Sequence, residues 1–118
     1  MIQLPRMRRG TRPYTEMVAR TRALVTERAA HWSRVYGIPY RRIFIKKHKS
    51  RWGSASVAGN LNFNYRLGFL PIELLDYVVV HELCHLKEFN HSPRFWALVE
   101  DAYPNARQLR AQLRSYRF

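Results

Sequence analysis

The stretch Pro71-Ile72-Glu73-Leu74-Leu75-Asp76-Tyr77-Val78-Val79-Val80-His81-Glu82-Leu83-Cys84-His85 decides how this chain reads. Proline is tolerated where a helix begins, because the first N–H groups have no intrahelical acceptor, and Glu73 and Asp76 sit near the positive end of the helix dipole. From Pro71 to about Phe89 the helix is apolar nearly all round, the pattern of a helix buried in a core. His81 and His85 stand four apart around Glu82, in the order HExxH. Four helical residues turn about 400° and rise about 6 Å, so both imidazoles leave one side of the helix from adjacent turns. That makes a two-point chelate for a tetrahedral ion, with Zn–N bonds of about 2.0–2.1 Å. Glu82, beside the first histidine, is placed to deprotonate a water that the ion activates, without being a ligand itself. Two histidines and a glutamate buried without partners would be costly, and one metal ion resolves all three.

A chelate of two leaves room for a third protein ligand. His91, ten positions after His81, is the candidate: the chain must turn after His85, Asn90 can adopt a left-handed conformation, and Ser92-Pro93 keeps the same helix from running on. The spacing H-E-x-x-H-x5-H is that of the metzincins, but Glu88 stands where they have glycine. No methionine follows Met17 either, so a downstream Met-turn is excluded. A third ligand of the glutamate type would be Glu100 or, less plausibly, Glu88. Cys84 lies about 60° from His81 around the helix and reads as a small core residue rather than a ligand. His31 and His48 have no motif around them.

The first twelve residues, with Arg6, Arg8, Arg9 and Arg12, read as a basic arm that need not fold, ahead of one domain over 13–118. Apolar residues from Met17 to Tyr36 recur near the 3.6 period and predict a helix from about Pro13 to Tyr36, stopped by Gly37 and Pro39. Ile43-Phe44-Ile45 begins a strand, Arg51 to Val57 offers a second, and Ala58-Gly59-Asn60 supplies a turn. Leu61 to Leu67 alternates apolar and polar residues, which predicts a half-buried strand with Asn62, Asn64 and Arg66 on one face, along which an extended peptide could pair. Ser92-Pro93 opens a helix to about Ala102, and a last helix is expected between Asn105 and Tyr116. The order is one helix, a small β meander, then helices: an α+β domain.

The 118 residues suit a single core, and 47% hydrophobic with 14% aromatic content excludes a disordered basic tail. No apolar run is long enough to cross a bilayer, and no secretory h-region follows the basic start. With Cys84 as the one cysteine, an intramolecular disulfide is impossible, and a cytoplasmic location is expected. The net charge of +13 is uneven: residues 1–60 hold 14 Lys+Arg against Glu16 and Glu27, whereas 61–118 hold 7 against 6 acids. A basic half suggests a face for a polyanion, commonly nucleic acid; its alternative is solubility charge.

Four segments together carry a resemblance: Ser50-Arg51-Trp52-Gly53-Ser54; Gly59-Asn60-Leu61-Asn62-Phe63-Asn64; Asp76 through His85; and His91-Ser92-Pro93-Arg94-Phe95-Trp96. In this order they resemble the YgjP-like metallopeptidase family, related to the SprT and WLM zinc peptidases, over roughly residues 14–105. The resemblance implies a minimal zincin-like fold of N-terminal helix, small antiparallel sheet, HExxH helix and C-terminal helices. It implies Zn2+ held at His81, His85 and His91, with Glu82 catalytic. Ala55 departs from the cysteine the family commonly has there, and the N-terminal strands of longer members are missing.

The expected function is therefore zinc-dependent hydrolysis of peptide bonds in a polypeptide substrate. The sequence also admits two alternatives. One is a nucleic-acid-associated module with a structural zinc, whose fourth coordination position would be closed by protein; the other is a metal-dependent hydrolase of a non-peptide bond. Tyr103 is a candidate for stabilising an oxyanion, its alternative being a packing residue.

Overall fold

A computed structural model describes all 118 residues. After a two-residue strand β1 (Ile2–Gln3), the helix α1 runs Arg12–Tyr36. Thr11 caps its first turn by accepting from the Tyr14 N–H, and Gly37 ends it at φ 66°, donating its N–H to the Ser33 carbonyl. A left-handed cap of this kind suits glycine, which has no Cβ to clash. Strands β2 (Ile43–Lys46), β3 (Gly53–Ala55) and β4 (Leu61–Asn64) follow, then a 3-10 turn over Tyr65–Phe69. Helices α2 (Ile72–His85), α3 (Pro93–Ala102) and α4 (Ala106–Leu113) precede a last two-residue strand, β5 (Tyr116–Arg117).

The α+β class stands, but the sheet is neither a meander nor wholly antiparallel. Its order is β2-β4-β3: β2 runs parallel to β4, with Ile43 opposite Leu61, and β3 runs antiparallel to it, with Gly53 opposite Phe63. The most buried strand takes the centre, where Leu61 and Phe63 are fully buried. This corrects the expected edge along Leu61–Leu67, since β4 is paired on both sides and offers no ladder to a peptide. The free edges belong to β2 and β3. The strand is also shorter than its alternation predicts. The Asn64 side chain accepts from the Arg66 N–H and turns the chain into the 3-10 segment, so Asn64 and Arg66 are buried instead of facing water.

Helix α2 is central to the core. Leu74, Leu75, Val79, Val80 and Leu83 pack with Val25 and Ala29 of α1, Leu61 and Phe63 of β4, Phe95 and Val99 of α3, and Leu109 of α4. One polar anchor crosses this core. The buried Asp76 carboxylate accepts from Arg28 Nε at 2.6 Å, Trp32 Nε1 at 2.9 Å and the Tyr103 hydroxyl, tying α1 and the end of α3 to α2. The basic first segment joins the fold: β1 pairs with β5, Leu4 is buried, and the Met7 N–H donates to the Tyr65 hydroxyl. No helix is long and apolar enough to cross a membrane.

Candidate metal centre

α2 presents His81 and His85 from successive turns, as their spacing predicts. The helix stops at His85, four residues before the expected end. It loosens there through short-range bonds, Leu86 N–H to the Leu83 carbonyl and Lys87 N–H to the Cys84 carbonyl. This loosening reverses the chain without a left-handed residue: no residue other than glycine has a positive φ, so Asn90 does not play the part expected of it. Ser92 then caps α3, accepting from the Phe95 N–H, and His91 just before it is directed back to α2.

The three imidazoles converge. His91 Nε2 lies 3.0 Å from His85 Nε2 and 3.4 Å from His81 Nε2. A ligand atom from each of the three residues lies within 4.8 Å of the others, a group able to hold a metal ion. The donor set fits such an ion by its own chemistry. His85 donates from Nδ1 to the Glu88 carbonyl at 3.1 Å, which leaves the lone pair on Nε2, the nitrogen turned to the other histidines. Burial and the neighbouring imidazoles hold His81 down to about 3 and lower His85 as well, keeping both rings neutral, the form that binds metal. The rings are braced from α3: His85 stacks on Phe95 at 4.2 Å and His91 lies nearly parallel to Trp96.

The other candidate ligands lie outside this group. Cys84 faces the core, fully buried, and burial pushes its thiol up to about 11. Glu100 is exposed on α3, and Glu88 contributes its backbone carbonyl to His85. Tyr103 is committed to Asp76, and burial raises its hydroxyl further out of the titrating range. His31 packs edge-on against Trp32, away from the group.

Glu82 and His81 line a cleft of about 710 Å³. Glu82 is 93% removed from solvent by residue area, and desolvation pushes its carboxyl up to about 8, with Arg51 drawing it back down. Its space is made by β3: a Cβ on Gly53 would lie 2.9 Å from Glu82 Cγ and 3.2 Å from Oε2. That packing role is absent from any reading of Gly53 as a strand residue alone. The lining is completed by Arg110 and Leu113 of α4, by Arg114 just after it, and by Tyr116, Arg117 and Phe118. No local spacing in the sequence signals those C-terminal residues as neighbours of Glu82. The bracing roles of Phe95 and Trp96 had a signal, since both fall within the fourth resembling segment.

A buried acid beside a convergent histidine triad, on a helix packed over a small mixed sheet, defines a metallohydrolase-like site. The chain belongs to the YgjP-like family: the model for "YgjP-like, metallopeptidase domain" matches residues 11–116. No curated protein matches it significantly in sequence. Among solved structures it is similar to the metallopeptidase zymogen abylysin of Pyrococcus abyssi, at 25% identity and TM-score 0.71, covering 77% of this chain and 92% of that one. The metallopeptidase zymogen jannalysin of Methanocaldococcus jannaschii shares the fold, with TM-score 0.68 at 21% identity over 77% of this chain and 94% of that one. Membership of a metallopeptidase family implies a divalent metal and a polypeptide substrate.

Proposed function

We propose that this protein is a zinc metallopeptidase in which His81, His85 and His91 hold the metal and Glu82 is the general base. The observation that carries the reading is the convergence of the three imidazoles, one of which, His81, shares its cleft with the buried Glu82. Neutral imidazole donors suit zinc, and a set of three would leave a position open, as catalytic sites require. When bound, the metal polarises the scissile carbonyl and lowers the pKa of water towards about 7.

The chain's own residues supply the rest. The Glu82 carboxylate takes a proton from water and delivers it to the amine leaving the cleaved bond. Desolvation strengthens it as a base, and the local positive charge of Arg51 and of a bound dication favours its ionised form. The Glu88 carbonyl fixes the His85 tautomer, and Phe95 and Trp96 hold the rings in orientation. Gly53 allows the β3 backbone to close on Glu82, which shields the carboxylate from bulk water. The single buried cysteine suits a reducing, cytoplasmic setting.

The test is Glu82→Gln beside the parent. The variant should keep about one zinc per chain and the parent's thermal midpoint. Its cleavage of a mixed peptide library should fall at least about 10²–10⁴-fold. Unchanged cleavage by a folded, zinc-loaded variant would remove Glu82 from the mechanism.

A further inference from the structure

Five cations line the cleft that holds Glu82 and His81: Lys49 and Arg51 from the segment leading into β3, and Arg110, Arg114 and Arg117 from α4 and the residues after it. Glu82 is the one acid among the lining residues. Through Lys49 and Phe118 this cleft adjoins a second hollow of about 530 Å³, where Arg6, Arg9, Lys47 and Arg66 join them and no acid appears. None of these nine cations is in an ion pair; the chain's two salt bridges are Arg12–Glu16 and Arg28–Asp76. Arg66 is the most unusual member. It is 7% exposed, with its guanidinium 4.8 Å from the Tyr65 and Phe118 ring centroids, and it spends Nη1 on the His48 carbonyl while Nε has no acceptor. Like charges gathered round a concave, partly dry surface repel one another, and an anionic ligand relieves that repulsion.

We propose that the cleft selects acidic polypeptide segments, aspartate- and glutamate-rich, whose carboxylates lie against these cations on either side of the bond brought to Glu82. The inference rests on the peptidase reading above and names the class of substrate. Two observations favour a polypeptide over a nucleic acid. The cations surround Glu82 and His81 themselves, where the substrate chain of a peptidase has to run. Of the four Trp, Tyr and Phe rings in the cleft's lining three are already engaged: Trp52 meets Phe118 edge-on at 4.6 Å, Arg66 covers Phe118, and Tyr77 packs against His81 and Tyr103, which leaves Tyr116 alone. Base stacking needs free aromatic faces.

The test uses the full-length Glu82→Gln chain and three fluorescent peptides of equal length, one acidic, one neutral and one basic, with binding read by anisotropy. The acidic peptide should bind at least about tenfold tighter than the neutral one, and the advantage should shrink at high salt. Arg114→Glu and Arg117→Glu, both at exposed positions, should erase the advantage while keeping the parent's thermal midpoint. Equal affinity for all three peptides would overturn the inference. So would a single-stranded oligonucleotide that binds tighter and displaces the acidic peptide, which would assign the cations to nucleic acid. Cleavage of a mixed library by the active chain separates the two readings. Cuts spread without acidic bias would overturn this inference and leave the peptidase standing. A zinc-loaded chain that cuts none of the peptides it binds would sink the peptidase reading and this inference with it.

Discussion

Gly53→Ala adds one methyl group at the point where β3 touches Glu82. The new carbon would stand 2.9 Å from Glu82 Cγ, 3.0 Å from the Asn62 carbonyl oxygen and 3.2 Å from Glu82 Oε2. Ordinary carbon contacts are about 3.5–4.0 Å, so the overlap with the glutamate is about 0.6–1 Å. The Asn62 carbonyl belongs to the central strand and yields only if the β3–β4 pairing gives way. The Glu82 side chain is the softer partner and takes most of the displacement. Overpacking of this kind costs about 1–3 kcal/mol, offset by about 0.5–1 kcal/mol because alanine suits a strand better than glycine. The net loss of stability is therefore small, about 0–2.5 kcal/mol. Catalysis is more sensitive, since a misplacement of about 1 Å can cost about 10²-fold. Zinc content, thermal midpoint and library cleavage should be measured on the parent, Gly53→Ala and Ser54→Ala. The last loses the hydroxyl that accepts from Asn62 Nδ2 and adds no bulk at Glu82. The expectation is retained zinc in all three, a modest drop in midpoint for Gly53→Ala, and a large loss of cleavage in Gly53→Ala alone. Parent-like cleavage by Gly53→Ala would refute the argument that this glycine sets the position of the carboxylate.

Further outcomes follow from the same geometry. His91→Ala should lose zinc in dialysis against a chelator that leaves the parent loaded, whereas Glu100→Gln, on an exposed face of α3, should hold it; the reverse pattern would reassign the third ligand. Asp76→Ala strands Trp32 Nε1 and the Tyr103 hydroxyl and unpairs Arg28. It should cost about 3 kcal/mol and lower the thermal midpoint by roughly 10 °C, and a shift of only a degree or two would show that the anchor is dispensable. In the metal-free chain Glu82 titrates at about 8 when folded against 4.5 as its ordinary value, so the folded state keeps a proton that the unfolded chain has released. Stability from this group is fully present below pH 4.5 and is lost as pH rises towards 8. His81, held at about 3 against 6.5, acts in the opposite direction only below pH 6.5. Thermal midpoints of chelated protein should therefore fall between pH 6.5 and 8 in the parent and less steeply in Glu82→Gln, and equal slopes would contradict the assignment.

The legible parts of this molecule are those whose cause is local. Helix α2 follows from its apolar run, and the convergence of His81 with His85 follows from a four-residue spacing, since helical geometry acts over a single turn. The stop at Gly37 and the Ser92 cap are local too. The sheet order was not legible, because which strand takes the centre depends on which can be buried on both sides. Local alternation over Leu61–Leu67 carries no trace of that competition. Beyond Asn64 the alternation misleads outright, since a side-chain cap outweighs the β pattern and Pro71 sets where the next helix starts. The pairing of Ile2 with Tyr116 joins two-residue strands across nearly the whole chain, and no period can reveal strands that short.

Charge gives the sharpest case of a sum that hides its arrangement. The sequence assigns the positive excess to residues 1–60 and leaves 61–118 almost balanced. In the fold, three of the five cations around Glu82 come from the balanced part: Arg110, Arg114 and Arg117. Apart from Glu82 itself, the acids that balance them on paper lie elsewhere. Asp76 is buried under Arg28 and Trp32, Glu73 receives a bond from Asn105, Glu88 turns its carbonyl to His85, and Glu100 and Asp101 are exposed on α3. Segregation of this kind is set by which turn of α4 and which end of the chain meets the cleft. Potential at a site depends on distance and burial, with screening over about 8–10 Å in physiological salt, so charges balanced along the sequence do not cancel in the cleft. The near-neutral half thus contributes three of the five cations of a strongly positive site, and the basic half supplies the other two.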